Sequence, residues 1–419
     1  MTLKAFPTTT VTTALAFFAT AIFHQVVVVV NGFPLTLHPN HPHHQQSPIV
    51  TKAKERGNES LVCHTRRQRS AIPYDRDRTG NSFSTTSLTC QLLGMNCAKE
   101  TDFSFSFSGF CERGGNTDIH TDGWGLSYYE NASLRQFHDT EPASCSSLAK
   151  FIGQNPVRTL NMMGHIRYAT VGKVNLNNVH PFSREMWGIN WCFCHNGEIP
   201  LFTDDPQKTL TALLDQDDDS PCSDEKYYNP IGSTDSEAAF CAILNALRVK
   251  FKTLPSLPVL YEAIQILCDE VVEYNPDGTI MNFLLSCGPH TLWAYSWPGS
   301  RPGSKVWNGL YYTVREFPFS EQTLSDMDYS VDFSLVAGED DCVSVIATKP
   351  LTEDEEWTEI EKGELIVFDE GKPQKSISEL FQIELLGHGL SSKVLQPPNL
   401  EDDMKVYNLS PSEYIGGGI

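Results

Sequence analysis

A chain of 419 residues with 40% hydrophobic content is long enough to bury at least one sizeable core. Its net charge of −21 is unevenly spread: residues 1–89 hold nine Lys and Arg against four Asp and Glu, a net of +5, so residues 90–419 carry −26. A surface that acidic repels phosphate backbones and anionic lipid headgroups, which argues against nucleic acid as a partner of the folded part and leaves small-molecule substrates.

The first element is an apolar run over residues 14–30, preceded by Lys4 and interrupted by His24 and Gln25. It is too short and broken for a membrane span and reads as the core of a cleavable signal peptide, residues 1–32, with a cut near Gly32–Phe33. A retained signal anchor is the alternative, and membrane association is expected only in that case. Residues 33–89 are rich in Ser, Thr, Arg, His and Pro, lack apolar periodicity and carry few acids. Such a stretch cannot offset its ordering entropy by burial, so a disordered targeting or pro-segment is expected. A signal followed by a basic, hydroxyl-rich, acid-poor stretch resembles the two-part presequences of plastids bounded by extra membranes. Entry to the secretory pathway alone is the plainer alternative.

From Cys90 onward, apolar runs of strand length alternate with longer helical patterns, the mark of a mixed α and β domain. Phe103-Ser104-Phe105-Ser106-Phe107 alternates with period two and reads as a strand, as do Gly123–Tyr129, Met186–Cys194, Ile280–Ser286 and Leu292–Trp297. Phe240, Ile243, Leu244, Leu247 and Phe251 recur at helical spacing behind Thr234-Asp235-Ser236-Glu237, which has the form of a capping box and puts Asp235 in the first turn. A second helix is expected from Val259 to about Tyr274, followed by the turn Asn275-Pro276-Asp277-Gly278.

Twelve cysteines in a chain of this length do not make a disulfide scaffold. Cys192, Cys194, Cys241, Cys268 and Cys287 sit in apolar runs and are expected as buried thiols. Asn58, Asn131 and Asn408 open N-x-Ser/Thr triplets that matter only in a secretory context. The acidic runs Asp215–Asp219 and Glu353–Glu356 lack calcium-loop spacing and read as solvated loops. No phosphate-cradling glycine loop, dinucleotide fingerprint or HExxH is present, so neither a cofactor nor a metal is expected.

Five short motifs follow in order: Thr89-Cys90-Gln91-Leu92-Leu93-Gly94, Asp122-Gly123-Trp124-Gly125, His165-Ile166-Arg167, His195-Asn196-Gly197 and Ser233-Thr234-Asp235-Ser236-Glu237. Acyl transfer by a cysteine needs a thiolate, a base and fixed donors for the oxyanion. His165, His180 and His195 are each candidate bases, yet none has the local signature of a Cys–His protease, and structural histidines are the competing reading. The other arrangement uses the α-amine of a nucleophile at residue one, whose pKa of about 7.7–8.0 suits a base near neutral pH.

Taken together, these motifs resemble class II glutamine amidotransferase domains of the N-terminal-nucleophile type, particularly the stand-alone members. The likeness runs from Cys90 to about Lys372 and includes Val345–Leu351 and Trp357, giving a domain over 90–375 and a C-terminal extension over 376–419. It implies an α+β fold, the four-layer αββα sandwich. It also implies Cys90 as nucleophile, its freed amine as base, Asn196 and the Gly197 N–H as oxyanion donors, Arg167 for the substrate carboxylate and Asp235 for its ammonium, with Gly123 and Trp124 supporting the substrate site.

Plain competitors exist: Arg167 as a surface ion pair, Asp235 as a helix cap, Asn196-Gly197 as a hairpin turn. Two departures stand out. Thr89 precedes Cys90, so a leader must be removed, and Val171 stands where synthase-linked relatives often carry a histidine. No synthetase domain follows, so either a partner subunit supplies the acceptor or the enzyme hydrolyses glutamine or another γ-glutamyl compound. A catalytically silent binding or assembly subunit is the alternative if the leader stays attached.

Overall fold

The computed structural model describes residues 90–169, 174–214, 226–301 and 304–385. The signal peptide, the segment over 33–89, Val171, the run Asp215–Asp219 and the tail beyond 385 lie outside the described residues. In chain order the elements are β1 (Gln91–Asp102), α1 (Ser104–Glu112), β2 (Trp124–Glu130), β3 (Ser133–Asp139), α2 (Ser147–Gln154), β4 (Arg158–Ile166), β5 (Phe182–Met186) and β6 (Ile189–Glu198). There follow α3 (Pro200–Asp204), α4 (Asp235–Lys250), α5 (Leu257–Glu273), β7 (Ile280–Cys287), β8 (Thr291–Trp297), β9 (Tyr311–Glu316), β10 (Glu321–Thr323) and β11 (Ser330–Asp332). The last are β12 (Cys342–Ala347), β13 (Thr358–Glu359), β14 (Glu364–Asp369), β15 (Lys372–Gln374) and α6 (Ile377–Leu385).

Two antiparallel sheets carry the fold. One runs β13-β9-β12-β1-β4-β2-β3 and the other β15-β14-β8-β7-β6-β5. Leu92, Met163 and Ile346 of the first meet Cys192, Leu284, Leu292 and Phe368 of the second in one buried layer. On the outer faces, Phe240, Leu244, Leu260 and Ile264 of α4 and α5 pack on Phe193, Phe283 and Trp293. Phe107, Phe110 and Ile152 of α1 and α2 pack on Leu93, Trp124 and Val345. The order helix, sheet, sheet, helix is the expected αββα sandwich. Because β1 is covered on both faces, its first seven residues are all buried, Gln91 and Asn96 included. Leu380 of α6 is fully buried in the same core as α5, so the packed chain continues past residue 375.

Two local expectations are corrected, and one competing reading is removed. Phe103–Phe107 begins a helix, α1, instead of a strand. Phe103 and Phe107, one helical turn apart, meet Tyr128 and Trp124 at 5.5 and 5.9 Å, while Phe105 faces the other way onto Tyr329 and Phe333 at 5.6 and 5.4 Å. A helix buried on opposite faces imitates the strand alternation. Met186–Cys194 is not one strand: Trp187 and Gly188, with φ of 59° and 78°, form a two-residue turn that sets Met186 opposite Ile189. Conversely, Asn196-Gly197 is no turn, since both residues pair with Asn282 and Met281 inside β6.

The capping box is half formed. Thr234 Oγ1 accepts the Glu237 N–H at 3.2 Å, but the Glu237 carboxylate turns to Arg184 at 2.6 Å and to the Gly232 N–H at 2.7 Å. A charge-assisted partner outcompetes the backbone N–H of Thr234. The five cysteines expected in the core are buried free thiols. In the run Glu353–Glu356, Glu353, Asp354 and Glu356 are exposed, as expected of a solvated loop, while Glu355 turns inward and takes Arg315 through both oxygens at 2.6 and 2.7 Å.

Candidate active site

Strand register assembles the site. Gln91 pairs with Ile166 across β1 and β4, and Trp124 pairs with Ile166 across β2 and β4, so Cys90, Arg167 and Gly123 form a row at one end of three adjacent strands. Arg167 is clamped by its backbone, donating its N–H to Gly123 O at 2.8 Å and accepting from the Asp122 N–H at 3.2 Å. Asp122 also accepts the Ala169 N–H at 2.8 Å, which fixes the turn after Arg167. Behind Cys90, Thr348 Oγ1 accepts the Leu92 N–H and donates to Gln91 Oε1 at 2.7 Å. The closing motif near residue 348 therefore holds the strand that begins at the thiol.

The second sheet supplies the opposite wall. Gly197 has φ of +148°, and a Cβ there would lie 1.8 Å from Ile280 O, so only glycine lets β6 approach β7 this closely. Asp235 sits at the start of α4 and accepts the Ile199 N–H at 2.8 Å, tying the helix to the end of β6. The loop before it is pinned by Asn178, whose Oδ1 accepts the Ser233 N–H at 2.9 Å. Cys90, Arg167, Gly197 and Asp235 consequently line one cavity together with Arg301.

The thiol is half-buried, and Sγ meets the backbone of Tyr168, accepting its N–H at 3.4 Å and lying 3.6 Å from its carbonyl. Burial pushes the Cys90 thiol up from its ordinary value; the Tyr168 hydrogen bond and the charges of Arg301 and Arg167 oppose this. His180 and His195 also line the cavity. His195 is committed on both nitrogens, Nδ1 to Ser236 Oγ at 2.9 Å and Nε2 to Ile280 O at 3.2 Å, which assigns the proton to Nε2. Burial lowers the pKa of His165, His180 and His195 below the usual imidazole range, so all three are neutral at pH 7. The His165 and His180 rings lie 4.1 Å apart, and their ring nitrogens are buried without a hydrogen-bond partner among the described residues.

Three expected residues, Trp124, Gly123 and Asn196, do not line the cavity. Trp124 is fully buried, its ring against Phe107 on the outer helical face, because the strand pleat turns it away from the thiol. Gly123 contributes its carbonyl to Arg167 rather than a surface to the cavity. Asn196 lies behind Gly197, where its amide exchanges reciprocal hydrogen bonds with Asn308 at 2.7 and 3.1 Å. Sequence reasoning missed Asn308 and Arg301. Both sit on an irregular segment after β8, more than a hundred positions from their partners, and neither carries a local motif.

The family model for class-II glutamine amidotransferases matches residues 89–384. A Haemophilus influenzae protein named "Putative glutamine amidotransferase" is 40% identical over 283 residues, which is 68% of this chain and 85% of that protein. The Escherichia coli protein "Putative glutamine amidotransferase YafJ" is 36% identical over 280 residues, covering 67% and 97% respectively. Among solved structures, that of a "predicted glutamine amidotransferase" from Pseudomonas aeruginosa aligns at 33% identity with a TM-score of 0.48, over 68% of this chain and 100% of that one.

Proposed function

The chain belongs to the class II glutamine amidotransferases, and from that premise we propose that it hydrolyses the γ-amide of glutamine or of a γ-glutamyl compound through a thioester on Cys90. The observation that carries this reading is the meeting of Cys90, Arg167, Gly197 and Asp235 around one cavity, from four separate stretches of sequence. With residues 1–89 removed, the α-amine of Cys90 takes the thiol proton, a task suited to its pKa of about 7.7–8.0. Sγ then attacks the γ-carbonyl carbon, and the π pair moves to oxygen, where the Gly197 N–H and the second N–H of Asn196 Nδ2 stabilise it. The C–N bond breaks, the nitrogen leaves carrying the transferred proton, and water hydrolyses the thioester to glutamate.

Arg167 offers a planar fork for the α-carboxylate, and Asp235 retains lone pairs for the α-ammonium. Glutamine and γ-glutamyl peptides share this end, so the same grip serves both. A partner subunit holding an acceptor would turn hydrolysis into transfer. The leader reading belongs to the same proposal: residues 1–32 direct the chain into the secretory pathway, with plastid routing through 33–89 as its extension, and cleavage before Cys90 frees the amine.

The test uses protein trimmed to begin at Cys90, offered glutamine and γ-glutamyl dipeptides. Glutamate release from either is expected, and C90A should abolish it while leaving the circular dichroism spectrum intact; unchanged turnover in C90A overturns the nucleophile. N-terminal sequencing of the native protein is the companion measurement. Retention of the Thr89–Cys90 bond would leave the thiol without its base and make the chain a silent assembly subunit.

A further inference from the structure

We propose that Arg301 is a positioning residue of the Cys90 site, anchoring the Gly197 peptide and holding a fixed positive charge beside the sulfur. This inference rests on the reading of Cys90 as the reacting group. Arg301 lines the same cavity as Cys90, Arg167 and Asp235, and donates from Nη2 to Gly197 O at 3.3 Å. Its Nε is buried with no acceptor among the described residues.

The arginine is held where it is. Gly299 and Asn308 exchange backbone hydrogen bonds at 3.1 and 3.0 Å, closing the loop that bears Arg301. Asn308 is bonded through its amide to Asn196, and its carbonyl accepts from Asn282 Nδ2 at 3.1 Å. One loop thus latches onto β6 and β7 through Asn308 and reaches the next residue of β6, Gly197, through Arg301. Disturbing it disturbs both proposed oxyanion donors together.

The other charged or titratable groups lining the cavity are Arg167 and Tyr168 from the end of β4, Asp235 from α4, Glu198 from β6, and the neutral His180 and His195. Among these, the charge of Arg301 acts on the thiol more strongly than that of Arg167, and Asp235 opposes both. An arginine keeps its proton at every working pH, so it favours the thiolate without competing as a base.

Alkylation of Cys90 by iodoacetamide, followed by peptide mass spectrometry as a function of pH, tests this without any substrate. R301Q should move the alkylation midpoint up by about one pH unit, a roughly tenfold slower reaction near neutrality. R301K should keep the wild-type midpoint while lowering kcat at unchanged KM, because a point charge replaces the field but not the fork that holds Gly197. Superposable profiles for wild type and a folded R301Q overturn the proposal, as does R301K with wild-type kcat. If R301Q does not fold, the R301K profile decides: a shifted midpoint with the charge retained also refutes it. Should trimmed protein release no glutamate at all, the enzyme reading fails, while the alkylation profiles still decide the place of Arg301.

Discussion

Arg167 shows what the site asks of a single residue. It is buried, at 3% exposure, and its backbone is clamped by Asp122 and Gly123, so its guanidinium is delivered to the cavity by a rigid turn. The planar fork is the part that a lysine cannot reproduce. R167K is expected to raise KM for glutamine by about tenfold, equal to ~1.4 kcal/mol of binding, with kcat little changed. Steady-state kinetics on trimmed protein measure this, and an unaltered KM removes Arg167 from substrate binding. The competing readings of the motif residues are answered by position: Arg167 is not on the surface, and Gly197 is not in a turn.

At the level of elements, the segment before α4 is the piece whose order the chemistry depends on most. Glu237 is almost fully buried and joins Arg184 of β5 to the Gly232 N–H, so one carboxylate fixes the loop that presents Asp235. Removing it leaves the Arg184 charge without its partner in a largely buried setting, a loss of about 3–5 kcal/mol. E237A should therefore lower the melting temperature and also reduce kcat/KM, since Asp235 loses its tether; thermal melts and kinetics on the folded fraction read the two effects. Full activity at a lowered melting temperature would show that the ion pair stabilises the fold without positioning Asp235. The cap residue Thr234 and the helix were legible in the sequence, whereas the destination of Glu237 depended on Arg184, 53 positions away.

For the molecule as a whole, acid sensitivity follows from its buried histidines. His165, His180 and His195 are neutral in the fold because burial lowers their pKa values from the ordinary 6.5. The unfolded chain binds protons at these rings once the pH drops below about 6.5, and the folded chain does not, so the unfolded state gains. Their contribution is complete above that point and is lost as pH falls toward the folded values. The melting temperature should accordingly fall steadily between pH 6.5 and pH 5. A flat profile there would mean that the rings are charged or solvated in the folded protein.

The amino-acid order by itself determined the set of chemical groups, their sequence along the chain, the acidic character of the domain and, through five motifs in series, the αββα family. These are legible because a glycine that must approach a backbone, a helix cap and a covered strand each leave a mark within a few residues. Only the tertiary structure decided that Trp124 packs behind the site, that Phe103–Phe107 opens a helix, and that Arg301 and Asn308 join Gly197 and Asn196. Those outcomes come from register and from contacts between segments distant in the chain, where the choice of neighbour is made by the folded core and no local pattern records it.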